Sequence, residues 1–154
     1  MMEFLPEALG RPLARAFLRG DEGHPDLAGE VLFYPYGHGT LLVARAVGLP
    51  AGHFLGFHIH ETGDCSAAGG DTPFLKAGGH FNPTGQQHPQ HSGDLPTLLS
   101  SAAGTALLAV YTDRFSPAEV MGRSVIIHGM ADDFRSQPAG DSGMRIACGV
   151  IQRP

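Results

Sequence analysis

Short apolar or alternating runs dominate this sequence, and Gly, Pro, Asp or Asn bounds most of them. Runs of this kind, separated by turn residues, are typical of β-strands that form antiparallel sheets. The chain contains 22 glycines and 12 prolines among 154 residues, which implies many turns. The predicted strands span residues 12–18, 28–34, 39–48, 54–60, 104–112, 123–128 and 144–151.

Evidence for helices is weak. Pro96–Gly104 has helix-compatible residues but is short, and Ser116–Val120 starts at most one turn, with Ser116 as the cap and Pro117 at the first position. We expect a real helix at neither place. The length of 154 residues suits one domain, and the strand pattern predicts an antiparallel sandwich or barrel.

Two long stretches interrupt the strands: residues 61–100, called loop I, and residues 129–143, called loop II. Long ordered loops in a compact domain are usually functional. Each loop begins directly after a histidine that could bind metal, His60 or His128. We therefore expect both loops to build the site.

The bulk composition excludes several classes of protein. A net charge of −5 without a basic stripe argues against nucleic acid as a partner. No apolar run reaches the roughly 18 residues of a membrane-spanning helix, and the first residues do not resemble a secretory signal. Cys65 and Cys148 lie far apart, which leaves a disulfide and two buried thiols equally open.

Nine histidines are many for this length. His58 and His60 flank Ile59 on a predicted strand, so both side chains share one face and could chelate one ion from the outside of the sheet. His128 ends the run "SVIIH" in the same manner. The alternative is that all three are surface histidines. His24, His38 and His53 belong to no pattern, and we expect them at the surface.

A second group of potential ligands follows in loop I. His80, His88, His91 and Asp94 are separated by eight, three and three residues. Three imidazoles and one carboxylate match a closed tetrahedral zinc site. The alternative is a polar loop that happens to be rich in histidine.

With these motifs in their order, the chain resembles the copper–zinc superoxide dismutase family, and most closely its bacterial branch. The resemblance extends from about Leu13 to Ile151 and is strongest after Gly52. It implies one domain over residues 1–154, an all-β, eight-stranded antiparallel Greek-key barrel or flattened sandwich with two long functional loops. The motifs that carry it are "GFHIHE", "GGHFNP", "HSGDLP", "IIHGMADD" and "GMRIACGVI".

The resemblance assigns ligands to two metals. It implies that copper is bound by His58, His60, His80 and His128. It implies that zinc is bound by His80, His88, His91 and Asp94, with His80 shared between the two ions. One departure from the family is the interval from His88 to His91, which is much shorter here than usual and puts the zinc geometry in question.

The resemblance also assigns roles to residues outside the ligand set. Asp132 would accept hydrogen bonds from a copper ligand and a zinc ligand, His58 and His88, although by itself it could be an ordinary turn aspartate. Arg145 would be the active-site arginine. Cys65 and Cys148 would form the family's intrachain disulfide and so attach loop I to the last strand.

The implied activity is the dismutation of superoxide by one-electron cycling of copper, with His80 carrying a proton and Arg145 attracting the anion. The alternative is a copper-binding or delivery module without turnover. Lys76 and Arg135 are the candidates for steering superoxide, although Arg135 is accompanied by Asp132, Asp133 and Asp141. We therefore expect modest steering and a shallow salt dependence.

The sequence leaves the assembly and the compartment open. The resemblance is compatible with a monomer or a homodimer. The bacterial branch implies a periplasmic or secreted protein, whereas the absence of a recognisable signal leaves the cytoplasm open.

Overall fold

The seven predicted strands are all present in the computed structural model, which describes residues 9–67 and 72–154. The run predicted at 54–60 divides at Gly56 into two strands, and a further two-residue strand lies in loop I. The strands are β1 Ala14–Gly20, β2 Ala28–Tyr36, β3 Gly39–Val47, β4 Phe54–Leu55, β5 Phe57–His60, β6 Leu98–Leu99, β7 Ala106–Thr112, β8 Ser124–His128 and β9 Arg145–Gln152.

Seven of these strands form one antiparallel sheet in the order β5-β8-β9-β1-β2-β3-β7, which curls into a half-barrel. The remaining two, β4 and β6, pair with each other. The all-β antiparallel fold is therefore confirmed. The strand count differs from the expected eight, because seven strands share the main sheet and a separate short pair adds two.

Helical structure among the described residues from 10 onwards is confined to two short pieces. α1 spans Pro117–Val120, a single turn, in which the Ser116 amide donates to Glu119 Oε2 at 2.6 Å. A 3₁₀ turn covers Leu75–Ala77 in loop I. The expectation of no real helix at Pro96–Gly104 is correct, since part of that segment is β6. Within the described residues no helix is long and apolar enough to cross a membrane.

The core occupies the inner face of the half-barrel. Alternation along β1 buries Ala14, Ala16 and Leu18, because successive side chains of a strand point to opposite faces. On β5 the same alternation sends Phe57 and Ile59 into this core. It thereby directs His58 and His60 to the other face of the sheet, where the two long loops lie.

Loop I is attached to β5 by main-chain hydrogen bonds. The Phe81 amide donates to Ile59 O at 2.8 Å, and the Ile59 amide donates to Gly93 O at 2.8 Å. These bonds set His80 opposite His60 and Asp94 opposite His58 as isolated β-bridges. Gly93 is required here, because a Cβ at this position would lie 2.3 Å from Ile59 O.

The disulfide predicted from the resemblance is present. Cys65 of loop I is bonded to Cys148 of β9, 83 residues later. Cys148 packs with Ala77 and Ile126 in a small buried cluster, against which Cys65 and Phe74 also pack. This bond fixes the first part of loop I to the sheet.

Candidate metal centre

His58, His60 and His128 are buried rather than exposed. The exposed fractions of these residues are 0%, 1% and 3%, because loops I and II cover the face of the sheet from which they project. The expectation that His58 and His60 share one face is correct, but that face is not open to solvent. The surface alternative for these three histidines is therefore wrong.

Two groups of four potential ligands converge at this covered face. In each group every residue offers a ligand atom within 4.8 Å of the others. One group consists of His58, His60, His80 and His128; the other consists of His58, His80, His88 and Asp94. The rings of His58 and His80, which belong to both groups, have centroids 4.0 Å apart.

His91 lies beside the second group. Its Nδ1 is 3.1 Å from His80 Nδ1 and 3.2 Å from Asp94 Oδ2. Asp94 also approaches the other rings, with Oδ1 2.7 Å from His80 Nδ1 and Oδ2 3.1 Å from His88 Nδ1. The four residues expected to bind zinc are thus brought together despite the short interval between His88 and His91.

Five ring nitrogens in the centre are buried and have no hydrogen-bond partner among the described residues. They are His58 Nδ1, His60 Nε2, His80 Nε2, His88 Nδ1 and His128 Nε2. A buried polar atom without a partner costs about 1–3 kcal/mol. Such atoms at a single site are what a set of metal ligands presents before it binds an ion, so the residues fit a metal.

The opposite nitrogens of these rings are held by hydrogen bonds. His60 Nδ1 donates to Gly78 O at 2.9 Å, and His128 Nδ1 donates to Gly143 O at 3.1 Å. A proton on one ring nitrogen leaves the lone pair on the other. In both residues that lone pair is on Nε2, which faces the first group.

Asp132 holds two further rings at once. Its Oδ2 accepts from His58 Nε2 at 2.7 Å, and its Oδ1 accepts from His88 Nε2 at 2.7 Å. Burial raises the pKa of Asp132, but the hydrogen bonds from His58 and His88 outweigh it, so that the pKa lies well below its usual range. The carboxylate therefore stays ionised and leaves Nδ1 of each ring free for a metal.

Burial keeps the imidazoles neutral. It lowers the pKa of His58 to about 4 and the pKa of His128 to about 3, and it lowers the pKa of His60 well below its ordinary value. The pKa of His91 is lowered as well, again mainly by burial. Neutral imidazole is the form that binds metal, so the site is ready for ions at neutral pH.

Arg145 lies at the start of β9, opposite His128 in the sheet, and is half-buried. Its guanidinium donates to Phe74 O at 2.8 Å and to Gly78 O at 2.5 Å, both in loop I. Gly78 O also accepts from His60 Nδ1, so one carbonyl joins the arginine to a potential ligand. Burial lowers the pKa of Arg145, yet a guanidinium remains charged at neutral pH.

The two candidate steering cations are exposed. Lys76 lies in the 3₁₀ turn and Arg135 in loop II, and neither forms an ion pair within the described part of the chain. Of the unassigned histidines, His38 and His53 are exposed, and His24 is partly buried with Nδ1 2.6 Å from Asp21 Oδ1. His38 and His53 thus lie at the surface as expected, and His24 lies partly exposed in the loop between β1 and β2.

Three contributors to the site carried no signal in the spacing of the sequence. Gly140, whose φ is +70°, lies against Asp132 so closely that a Cβ would be 1.9 Å from Oδ1. Gln137 and Arg114 bind the main chain of the segment from His88 to His91. The position of Gly140 before a polar turn could have suggested its role. No feature of the neighbouring sequence distinguishes Gln137 and Arg114 from other polar loop residues.

The comparisons with known proteins agree with this geometry. The family model described as copper/zinc superoxide dismutase matches residues 27–151. A Deinococcus radiodurans protein named superoxide dismutase [Cu-Zn] is 39% identical over 94% of this chain and 86% of its own length. A second protein of that name, from Aquifex aeolicus, is 35% identical over 90% of this chain and 86% of its own.

Solved structures show the same similarity. The Cu/Zn superoxide dismutase from Brucella abortus superimposes with a TM-score of 0.78, at 29% identity, over 89% of this chain and 98% of its own. A double mutant of a SOD-like protein from Bacillus subtilis gives a TM-score of 0.74, at 32% identity, over 88% and 94% of the two chains.

Proposed function

This chain belongs to the copper/zinc superoxide dismutase family, and from that membership we propose that it converts superoxide to dioxygen and hydrogen peroxide. Two superoxide anions and two protons give one dioxygen and one hydrogen peroxide, so one anion is oxidised and the other reduced. The observation that carries the proposal is the set of five buried ring nitrogens without partners. Bound copper supplies the one-electron oxidation and reduction, whereas zinc does not change its oxidation state.

We assign copper to His58, His60, His80 and His128. Their orphan nitrogens are Nδ1 of His58 and Nε2 of the other three. The support is that these four residues form the first converging group and that burial keeps the rings of His58, His60 and His128 neutral. Four imidazole nitrogens form a donor set well suited to copper.

We assign zinc to His80, His88, His91 and Asp94, the residue types of a closed tetrahedral site. The distances from Asp94 to the three rings, between 2.7 and 3.2 Å, support this set. Burial raises the pKa of Asp94, but the hydrogen bond from His80 and the electrostatic attraction of the nearby rings outweigh it, so the pKa is lowered and the carboxylate stays ionised. His80 offers Nε2 to one group and Nδ1 to the other, which supports its shared role.

Arg145 and His80 are the residues that we assign to the reaction itself. Arg145 attracts the superoxide anion with a charge whose position is fixed by Phe74 O and Gly78 O. His80 can hold a proton on Nε2, a buried atom without another partner among the described residues. Asp132 orients His58 and His88 through their Nε2 atoms and is not among the proposed ligands.

Lys76 and Arg135 add to the attraction of the anion only weakly in this proposal. Both are exposed, so solvent screens their charges. The chain carries a net charge of −5, which opposes an approaching anion. The main attraction must then be local to the centre, from Arg145 and the bound ions.

Two measurements test the proposal. Copper reconstitution followed by electron paramagnetic resonance is expected to give a copper(II) signal with histidine nitrogen couplings, and the reconstituted protein is expected to remove superoxide. His128→Ala should lower the activity by more than about 100-fold, since a ligand is lost. His53→Ala is the matched control, because His53 is exposed and its ring donates only to Ala51 O among the described residues.

The outcomes separate this function from a copper carrier of the same fold. A nitrogen-coupled signal without dismutation would support the carrier, and the absence of such a signal would rule out the copper site. Arg145 and the four candidate copper ligands are all present and converge, which favours the enzyme.

A further inference from the structure

The segment from His88 to His91 has little main-chain hydrogen bonding of its own. The Gln90 amide donates to Gln87 O at 2.7 Å, and the Asp94 amide donates to His91 O at 3.1 Å. The segment nonetheless supplies two of the four proposed zinc ligands. The His91 amide donates to the side chain of Asp94 at 2.9 Å, three residues later. Side chains from two distant parts of the chain bind the main chain of His88, Pro89 and His91.

Gln137 of loop II binds the main chain of His88 on both sides. Its Oε1 accepts from the His88 amide at 2.9 Å, and its Nε2 donates to His88 O at 2.7 Å. Two such bonds fix the position and the rotation of the peptide units around this residue. His88 is buried, with 3% of its surface exposed, so the loss of both bonds would leave main-chain groups of a buried residue without these partners.

Arg114, in the connection from β7 to α1, binds the other end of the segment. Its Nη1 donates to Pro89 O at 2.9 Å and to His91 O at 3.0 Å. Charge-assisted hydrogen bonds of this kind are stronger than those between neutral groups. The first of these carbonyls belongs to the residue directly after His88, and the second belongs to His91, so Arg114 binds the main chain next to both proposed zinc ligands of the segment.

We propose that Gln137 and Arg114 are positioning residues for zinc, which hold His88 and His91 in place before the ion binds. Their hydrogen bonds, made from other loops, fix a short segment that forms few main-chain hydrogen bonds of its own. Gln137 also shares loop II with Asp132, which binds the ring of His88. Loop II thus fixes the main chain and the side chain of one ligand together. The inference rests on the proposed zinc site.

The variants are chosen to separate hydrogen bonding from packing. Gln137→Met keeps the length of the side chain but removes both bonds, and Gln137→Ala removes the side chain as well. Arg114→Met keeps an unbranched side chain but removes the hydrogen bonds to Pro89 O and His91 O. The matched control is Gln90→Ala, in the segment itself, because Gln90 is exposed and its side chain forms no hydrogen bond among the described residues.

Zinc release from the copper- and zinc-loaded protein to a colorimetric chelator gives the dissociation constant. We expect a rise of about 10–100-fold for Gln137→Met and Gln137→Ala, and a rise of at least about 10-fold for Arg114→Met. Gln90→Ala should stay within twofold of the wild type. Cobalt(II) in place of zinc should show altered visible bands in the Gln137 variants, whereas a purely structural role would leave the bands of the folded protein unchanged.

Circular dichroism of the loaded variants checks that they are folded. Zinc constants within twofold of the wild type in folded Gln137→Met and Arg114→Met would overturn the inference while leaving the zinc site intact. If His91→Ala binds zinc as well as the wild type does, the proposed zinc site itself is wrong, and the inference falls with it.

Discussion

The carboxylate of Asp132 accepts a hydrogen bond from His58 at 2.7 Å, and both side chains are fully buried. Since the second oxygen of Asp132 binds His88 in the same way, one aspartate sets the tautomers of rings in both ligand groups. Either ring binds metal through Nδ1 only while its Nε2 carries the proton. The consequences of disturbing this arrangement can be measured.

Asp132→Asn should weaken metal binding by about 10–100-fold. The amide nitrogen of the new side chain must face one of the two rings as a donor, so that ring has to accept on Nε2 and carry its proton on Nδ1, which blocks the metal. Chelator competition measures the loss for copper and zinc. Asp141→Asn, at an exposed position of loop II, is the control and should bind both metals normally.

Gly140→Ala should disturb the same carboxylate sterically. A Cβ at this position would lie 1.9 Å from Asp132 Oδ1 and 2.7 Å from His88 Nε2, and the φ of +70° is itself unfavourable for alanine. We expect a zinc constant raised by about 10-fold. Gly122→Ala separates the two effects, because Gly122 has a φ of +80° but open space around it. Equal zinc constants in the two variants would show that the contact with Asp132 is unimportant.

The metal-free protein should lose stability as the pH falls below 6.5. The pKa of His58 is lowered to about 4 and the pKa of His128 to about 3, so the unfolded chain binds protons between those values and 6.5 while the folded chain does not. At pH 4.5 each residue then lowers the free energy of unfolding by about 2.5 kcal/mol relative to pH 7.5. Urea unfolding of the metal-free protein at pH 7.5 and pH 4.5 measures the difference.

Asp94 acts in the same direction but at lower pH, because its lowered pKa gives a stabilisation that is present above the ordinary value of 3.8 and is lost only as the pH falls below that value. A free energy of unfolding that is constant between pH 7.5 and pH 4.5 would contradict the lowered pKa values of His58 and His128.

Removal of the disulfide should destabilise the protein by about 2–5 kcal/mol. The bond between Cys65 and Cys148 closes a separation of 83 residues, so its loss frees many conformations of the unfolded chain. Urea unfolding of a Cys65→Ala/Cys148→Ala variant, compared with the oxidised wild type, measures the change. A reduced wild type that unfolds at the same urea concentration as the double variant would support loss of the bond, rather than poorer packing, as the cause.

Arg145→Ala should lower kcat/KM for superoxide by about 10-fold, because the local cation is lost. Lys76→Ala and Arg135→Ala should each change it less than twofold, since both positions are exposed. Rates measured over a range of ionic strength should fall only gently. A steep fall that disappears in Lys76→Ala would instead assign the steering to that lysine.

The strands could be predicted well because alternation and turn residues are local signals. Part of the candidate site could also be predicted from short spans, since His58 and His60 share one face of a strand and His80, His88, His91 and Asp94 lie within fifteen residues. The addition of His128 to the first pair, and the sharing of His80 between two ions, depended on the resemblance. The pairing of Cys65 with Cys148 depended on the resemblance to a family, as two distant cysteines do not reveal it. The burial of His58 and His60 was not predictable from β5, because it is produced by loops that cover the strand.

The residues that hold the loops together were the least predictable. Gln137 and His88 are 49 residues apart, and their contact requires both loops to be in place. The same is true of Arg114, which reaches Pro89 across 25 residues. The strand β6 has only two residues and is defined by its pairing with β4, so the sequence contains no alternation of apolar and polar residues that could predict it.

β5 is the outermost strand of the seven-stranded sheet, and it carries apolar side chains on one face and the histidines on the other. Unprotected strands at such positions tend to recruit strands from other molecules. In this chain the segments at Phe81 and Gly93 form hydrogen bonds with the main chain of Ile59, in the middle of that edge. The outer edge of β5 is therefore closed to strands of other molecules by the same loop that brings His80 and Asp94 to the centre.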